Sequence, residues 1–295
     1  MFKNLSQAAL GISGTQNELI ELALSNGFRG LDFDVVEFSH QVEKQGMAHS
    51  RRLLDSAKLR IGSFALPVAW QVDDATFEQD LKKLPELAGI ARDLGCQRAT
   101  TTMLPASDER PYHQNFEFHR RRFGAIAAAL EPFSIRLGVE FLAPAHHREG
   151  KSFEFIHKLD ALVMLLGMVG KANVGLHVDL WHLHIAGGGV DSLRRLSAAQ
   201  VVAVSLADAP ADLAESCREE ERLLPGESGV IDSAAALSVL AEIGYEGPVT
   251  PRPHPGRFSG QRRDQVVKLA GQSLDTVWKA AGLAASGKLA PAARK

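Results

Sequence analysis

The sequence predicts an α/β chain folded as a single (β/α)₈ barrel. Three observations carry this expectation. Short β-rich runs alternate with longer helical patterns from end to end, about eight such runs occur, and no Gly-x-Gly-x-x-Gly follows the first of them. An open, doubly wound sheet would be expected to carry that glycine signature at its first turn. With 295 residues, 45% of them hydrophobic, the chain is long enough to enclose one large core.

The strands are expected at 8–13, 30–35, 60–66, 98–104, 135–142, 174–181, 201–208 and 248–252. Helical patterns fill the intervals at 16–25, 47–58, 77–94, 116–130, 159–169, 233–243 and 261–281. Gly27, Gly95 and Gly244 stand where helix C-caps belong, and Pro85 interrupts the third helical pattern and is expected to kink it. The barrel is assigned to residues 1–282. Residues 283–295 are small and basic with no periodic apolar face, so a flexible tail is expected there.

Composition narrows the function classes. A formal net charge of −2 gives no overall positive field, which argues against nucleic acid as a partner. Cys96 and Cys217 are far apart and match no zinc or redox spacing, so a reducing, cytoplasmic setting without disulfides is expected. No apolar run approaches the roughly 18 residues of a membrane span, and the opening residues do not read as a signal peptide. The expected partner is a small molecule, and homo-oligomerisation is left open.

Alternation within strands separates a helix-facing row from a row that points into the barrel. In the fifth strand Leu137, Val139 and Phe141 face out, which turns Gly138 and Glu140 inward. In the sixth, Val174, Leu176 and Val178 face out and Gly175, His177 and Asp179 face in, with His182 just beyond. The seventh is read with Val202, Val204 and Leu206 outward and Ala203, Ser205 and Ala207 inward; the eighth places Thr250 and Arg252 inward. Four adjacent strands thus deliver Glu140, Asp179, Ser205 and Arg252 to the carboxyl rim, where barrels of this kind carry their active sites. A buried Glu140–Arg252 pair with a packing role alone is the competing explanation, although it leaves the convergence of Asp179 and His182 without a reason.

Several stretches carry a family likeness: Gly138-Val139-Glu140-Phe141-Leu142, Asn173 through His182, the run Arg222-Leu223-Leu224-Pro225-Gly226-Glu227-Ser228-Gly229-Val230-Ile231-Asp232, and Gly244-Tyr245-Glu246-Gly247-Pro248-Val249. In these the chain resembles the xylose isomerase-like sugar phosphate isomerase/epimerase superfamily of TIM barrels. The resemblance implies a divalent cation (manganese, cobalt, magnesium or zinc) held by a glutamate, an aspartate, a histidine and a glutamate on strands five to eight. Glu140 and Asp179 match the first two, whereas Ser205 stands in the histidine position and Arg252 in that of the last glutamate. The two-glutamate acid–base mechanism implied by the family therefore lacks its second carboxylate, because a guanidinium stays protonated. Arg252 is instead expected to take over the electrostatic role of the cation.

On this reading the protein is an isomerase or epimerase-like barrel for a keto-sugar, inositol derivative or related polyol. Glu140, Arg252 and His182 are the expected catalytic residues, and Asp179, Ser205, Arg222 and His254 the expected substrate contacts. His254, two residues past Arg252, is also the leading candidate to replace a lost metal ligand. The alternative is a barrel without catalysis that binds a carbohydrate or a partner chain. An abasic-site nuclease, also a member of the superfamily, would need a metal cluster and a cationic face that the sequence does not offer.

Overall fold

The computed structural model describes residues 1–211 and 217–290. Among them eight barrel strands pair in parallel: β1 (Phe2–Leu5), β2 (Gly30–Leu31), β3 in two stretches (Arg60–Ile61 and Phe64–Ala65), β4 (Arg98–Met103), β5 (Arg136–Phe141), β6 (Val174–Asp179), β7 (Val201–Leu206) and β8 (Pro248–Pro251). The ladder starts at the first stretch of β3, passes through β2, β1, β8, β7, β6, β5 and β4, and ends at the second stretch of β3. Its two ends are joined through Gly62 and Ser63, so the sheet returns on itself. Gly62 N–H donates to Leu31 on one side (3.0 Å), and Leu66 N–H to Thr100 on the other (2.8 Å).

Helices cover the outside, among them Gln16–Ser25, Val35–Gln45, Met47–Ala57, Asp74–Asp93, Tyr112–Leu130, Leu159–Val169, Ser233–Glu242 and Arg263–Ala280. Asp34, Asp73 and Asp232 start three of them by accepting backbone N–H groups that a helix N-terminus leaves unpaired. The outward strand rows, with Leu137, Val139, Leu176, Val178 and Val249, pack against helix residues such as Leu162, Leu165, Leu237 and Leu240 in one continuous core. No described helix is long and apolar enough to cross a membrane.

Three expectations need correction. The first strand is Phe2–Leu5, not 8–13: Ser6 accepts Ala9 N–H and Gly11 takes a left-handed conformation (φ 62°), which winds Gln7–Leu10 into one helical turn. Its Lys3 and Asn4 concealed the strand, because Asn4 points into the barrel and pairs with Asp32 and Thr250. The second strand stops at Leu31, and Asp34 caps a helix, Val35–Gln45, that the sequence reading did not contain.

The third correction concerns Val202. The β6–β7 register shifts between Val201 and Ala203, making Val202 the extra residue of a bulge. It points inward: a Cβ on Gly138 would lie 3.1 Å from Val202 Cβ, and one on Gly175 would lie 2.9 Å from Val202 Cγ2. Phe2 lies against Gly30 in the same interior, so Phe2 and Val202 fill the amino-terminal end of the barrel over glycines that leave them space. The structure also describes the first part of the expected tail. Leu283 is buried and bridges to Leu289, and the Met1 amino group donates to Gly287, so residues 283–290 pack against the chain start. Residues 291–295 lie outside the described residues.

The close contact at Gly175 yields a stability test. An added Cβ would sit 2.5 Å from the Gln200 carbonyl oxygen, which is backbone and cannot turn away. Gly175→Ala is expected to cost about 1–3 kcal/mol in urea unfolding, the usual scale of overpacking. Unchanged stability would refute the inward bulge.

Candidate active site

A cavity of about 680 Å³ opens at the carboxyl end of the barrel, lined among others by Asp32, Thr102, Glu140, His177, Ser205 and Arg252. This is the size of a small-molecule site. A side recess of about 60 Å³ adjoins it beside Asp32 and Phe33.

The wall beneath it is held by Asp179, the last residue of β6 and the N-cap of helix Leu180–Ile185. Its Oδ1 accepts from the N–H groups of Trp181 (2.9 Å) and His182 (3.3 Å). Its Oδ2 accepts from Arg222 (2.7 Å) and Arg252 (3.2 Å). The same Arg252 nitrogen donates to Glu140 Oε1 at 2.5 Å, while Thr102 donates to Glu140 Oε2 at 2.9 Å. Arg252 alone of these four charged groups is substantially open to the cavity, with 32% of its side chain exposed against 4% for Arg222, 2% for Glu140 and 1% for Asp179.

Arg222 reaches the wall because Asp208 folds the chain back. Asp208 and Leu223 exchange backbone hydrogen bonds, and the Asp208 carboxylate accepts from Ala209, Ser228, Gly229 and Ile231 at 2.7–3.0 Å. The glycine-containing run after Arg222 thus serves as a wrap around one buried carboxylate. The Arg222 guanidinium lies 4.5 Å above the ring of Trp181, which is fully buried. Trp181 therefore packs under the site and offers no face to the cavity.

Burial pushes the Asp179 and Glu140 carboxyls up, but the neighbouring guanidinium charges outweigh it and hold both below the ordinary carboxylate range. Burial followed by the Arg222 charge drives His182 down to about 4. Arg222 donates to its Nε2 at 2.8 Å, and since a guanidinium only donates, that nitrogen carries no proton. His177 is also lowered by burial, and its Nε2 pairs with Ser205 Oγ at 2.8 Å. Across the cavity, burial raises Asp32 above its ordinary value, against hydrogen bonds from Asn4 and Ser63.

Of the residues singled out in the sequence, Glu140, Ser205 and Arg252 line the cavity, whereas Asp179, His182 and Arg222 form the layer behind it. His254 does neither. Its Nδ1 accepts Gly256 N–H at 3.2 Å at the start of the turn Pro255–Phe258, because β8 ends at Pro251 and strand counting no longer applies two residues on. His177 was visible in the alternation but not singled out; Asn4 was missed with the misplaced first strand, and Asp32 and Ser63 beside strands too short for alternation to single them out.

Glu140, Asp179 and His182 bring one ligand atom each within 4.8 Å of one another, as do His146, His147 and Glu219 on the rim. In the first group those atoms are already engaged by Arg252 and Arg222.

The family described as xylose isomerase-like TIM barrel matches residues 20–276. The chain belongs to this family. Inosose isomerase of Bacillus velezensis is 26% identical over 147 residues, 50% of each chain, and that of Bacillus licheniformis is 29% identical over 141 residues, 47% of this chain and 48% of that one. The chain thus spans about half the length of the curated relatives it matches. A xylose isomerase domain protein from Alicyclobacillus acidocaldarius superposes with a TM-score of 0.85 at 26% identity, over 95% of this chain and 98% of that one. The IOLI protein, solved with a zinc atom, shares the barrel at 16% identity, with a TM-score of 0.76 over 96% of this chain and 98% of that one.

The buried histidines of this xylose isomerase-like barrel predict a pH profile. His119 and His182 are held near 4, and His177 is lowered too, so the folded state keeps them neutral while the unfolded chain protonates them near 6.5. Below pH 6.5 the unfolded state binds more protons, and stability is expected to fall from pH 6.5 towards 4 by up to about 1.4 kcal/mol per pH unit for each histidine. Urea midpoints at pH 7 and 5 measure this. His182→Gln should give a shallower dependence, and a flat wild-type profile would contradict the neutral assignment.

Proposed function

We propose that this barrel catalyses proton transfer next to the carbonyl of a small polyhydroxylated ketone, an inosose or a keto-sugar, with the Arg252 guanidinium in the electrostatic place of the family's divalent cation. The observation that carries this reading is one Arg252 nitrogen bonded to both Glu140 (2.5 Å) and Asp179 (3.2 Å) at the base of the cavity. By the family resemblance these carboxylates stand at two of the ligand positions, and Ser205 and Arg252 at the other two. Two carboxylates and two guanidiniums cancel in charge, so a dication added among them would meet a site already neutralised. The residues present do not fit a divalent ion there.

In the resting site Glu140 is a weak base because Arg252 stabilises its charged form. A substrate carbonyl oxygen offers Arg252 another acceptor. When the guanidinium turns to it, Glu140 loses its nearest positive partner and gains basicity next to the carbon to be deprotonated. Glu140 takes the proton from the carbon beside the carbonyl, the electron pair moves onto the carbonyl oxygen, and Arg252 stabilises the resulting enolate. Return of a proton to the former carbonyl carbon, while the adjacent hydroxyl gives its proton to the enolate oxygen and becomes the new carbonyl, gives the isomer; return to the opposite face of the deprotonated carbon re-forms the original carbonyl and gives the epimer. Asp32 lines the cavity from the far wall, where burial raises its carboxyl, and is the residue positioned to return a proton. Thr102 fixes the second Glu140 oxygen, and Asp179, Arg222 and His182 hold the wall.

A barrel that only binds its sugar is the second reading, favoured by the same resting ion pair, which silences the base. Solvent deuterium exchange separates the two. NMR of an inosose, D-fructose and D-tagatose in heavy water should show protein-dependent exchange beside the carbonyl of at least one. Glu140→Gln should slow it by about 10²–10⁴-fold, and Arg252→Gln by a comparable factor. No exchange with any of them, together with ligand-induced thermal stabilisation, would replace the enzyme by the binding barrel.

A further inference from the structure

Outside the barrel interior, the segments following β5 and β7 assemble a second group of ligand-type side chains. Pro144 leads into a 3₁₀ turn, Ala145–His147, whose helical rotation brings two consecutive imidazoles together where an extended strand would send them to opposite faces. Their ring centroids are 4.1 Å apart. His146 Nε2 lies 3.2 Å from Glu219 Oε2, and His147 Nε2 lies 2.7 Å from Glu219 Oε1. The three side chains are 23%, 26% and 27% exposed, sheltered yet open to an ion arriving from solvent.

We propose that His146, His147 and Glu219 form a rim site for a divalent transition metal of the zinc class. Four properties point the same way. Two imidazole nitrogens and one carboxylate oxygen are a ligand set suited to zinc and unlike the all-oxygen shells of magnesium or calcium. Ligand atoms about 2.0–2.2 Å from a tetrahedral ion stand roughly 3.3 Å from one another; the two histidine–glutamate separations need only a slight opening to reach this, and all three ligand atoms lie within 4.8 Å of one another. Glu219 is the single formal charge of the group, so a dication gains an uncompensated carboxylate here, whereas the Glu140–Asp179 pair already has two guanidinium partners. Finally, His146 Nδ1 is buried without a hydrogen-bond partner, so this ring is oriented through its Nε2 contact alone. A metal bond at that nitrogen would fix it.

Three protein ligands leave one tetrahedral position open to water or another donor. The ion would also tie the turn after β5 to Glu219–Glu221, directly ahead of Arg222, whose N–H donates to the Glu219 carbonyl at 3.1 Å. Metal binding would therefore brace the segment that delivers Arg222 to Asp179. The site does not depend on the proton-transfer reading.

The experiment is a calorimetric titration of zinc chloride into chelator-stripped full-length protein, with elemental analysis after desalting and the absorption spectrum of the cobalt-loaded form. One zinc per chain is expected for the wild type and for the Glu140→Gln/Asp179→Asn double variant, with visible cobalt bands of a four-coordinate site. His146→Ala, His147→Ala and Glu219→Gln should each weaken uptake by about tenfold or more. Glu219→Gln keeps the side-chain shape and covers the case in which a histidine variant unfolds. The rim site is overturned if the wild type takes up no zinc, or if uptake vanishes in the double variant and survives in the three rim variants. Absence of zinc from the wild type leaves the deuterium-exchange result untouched, whereas zinc held by Glu140 and Asp179 would also count against Arg252 in the place of the cation, so the two failures are told apart.

Discussion

The geometry of the site depends on how one carboxylate, that of Asp179, divides its two oxygens. Oδ1 is committed to the first N–H groups of the helix that follows β6, and Oδ2 to Arg222 and Arg252. The first commitment fixes the carboxylate to the backbone, and the second fixes two cations to the carboxylate. A carboxylate this deeply buried is tolerable only with such partners, because unpaired it would carry the full cost of leaving water. Sequence far from β6 is shaped by this need: Asp208 gathers four N–H groups so that the chain after β7 returns Arg222 to the wall.

Arg252 has the opposite character. It shares the network but opens onto the cavity, and it is the member that can exchange a protein acceptor for one on a ligand. Arg222, sealed between Trp181 and Asp179, has no such freedom. The two arginines thus separate a fixed charge from a movable one within a few ångströms.

The half of the barrel from β5 to β8 was legible in the sequence because its strands are long enough for alternation to show. Glu140, Asp179, Ser205 and Arg252 were read correctly as inward on that basis, and the family resemblance placed them at the ligand positions. In the other half only β4, expected at 98–104 and found at Arg98–Met103, was placed well. β2 and each stretch of β3 span two residues, too few for a period of two to register, and polar Asn4 and Asp32 sit where a strand pattern would call for apolar residues. Asp32 and Ser63 were lost with that half. The Val202 bulge was hidden for another reason: one extra residue in a uniformly apolar run leaves its composition unchanged while reversing the side chain's direction. His254 shows the reverse error, alternation carried past the end of the strand that supported it.

Phe2 and Val202, seated against glycines at the amino-terminal end, make the barrel a cup and not a tube. A molecule that reaches Arg252 must enter and leave by the same opening. The segments that follow β1, β2 and β3 line the cavity with Ala8, Asp34 and Pro67, so arrival and departure share one route past them, and a mutation deep in the barrel can provide a second exit only by first emptying its floor.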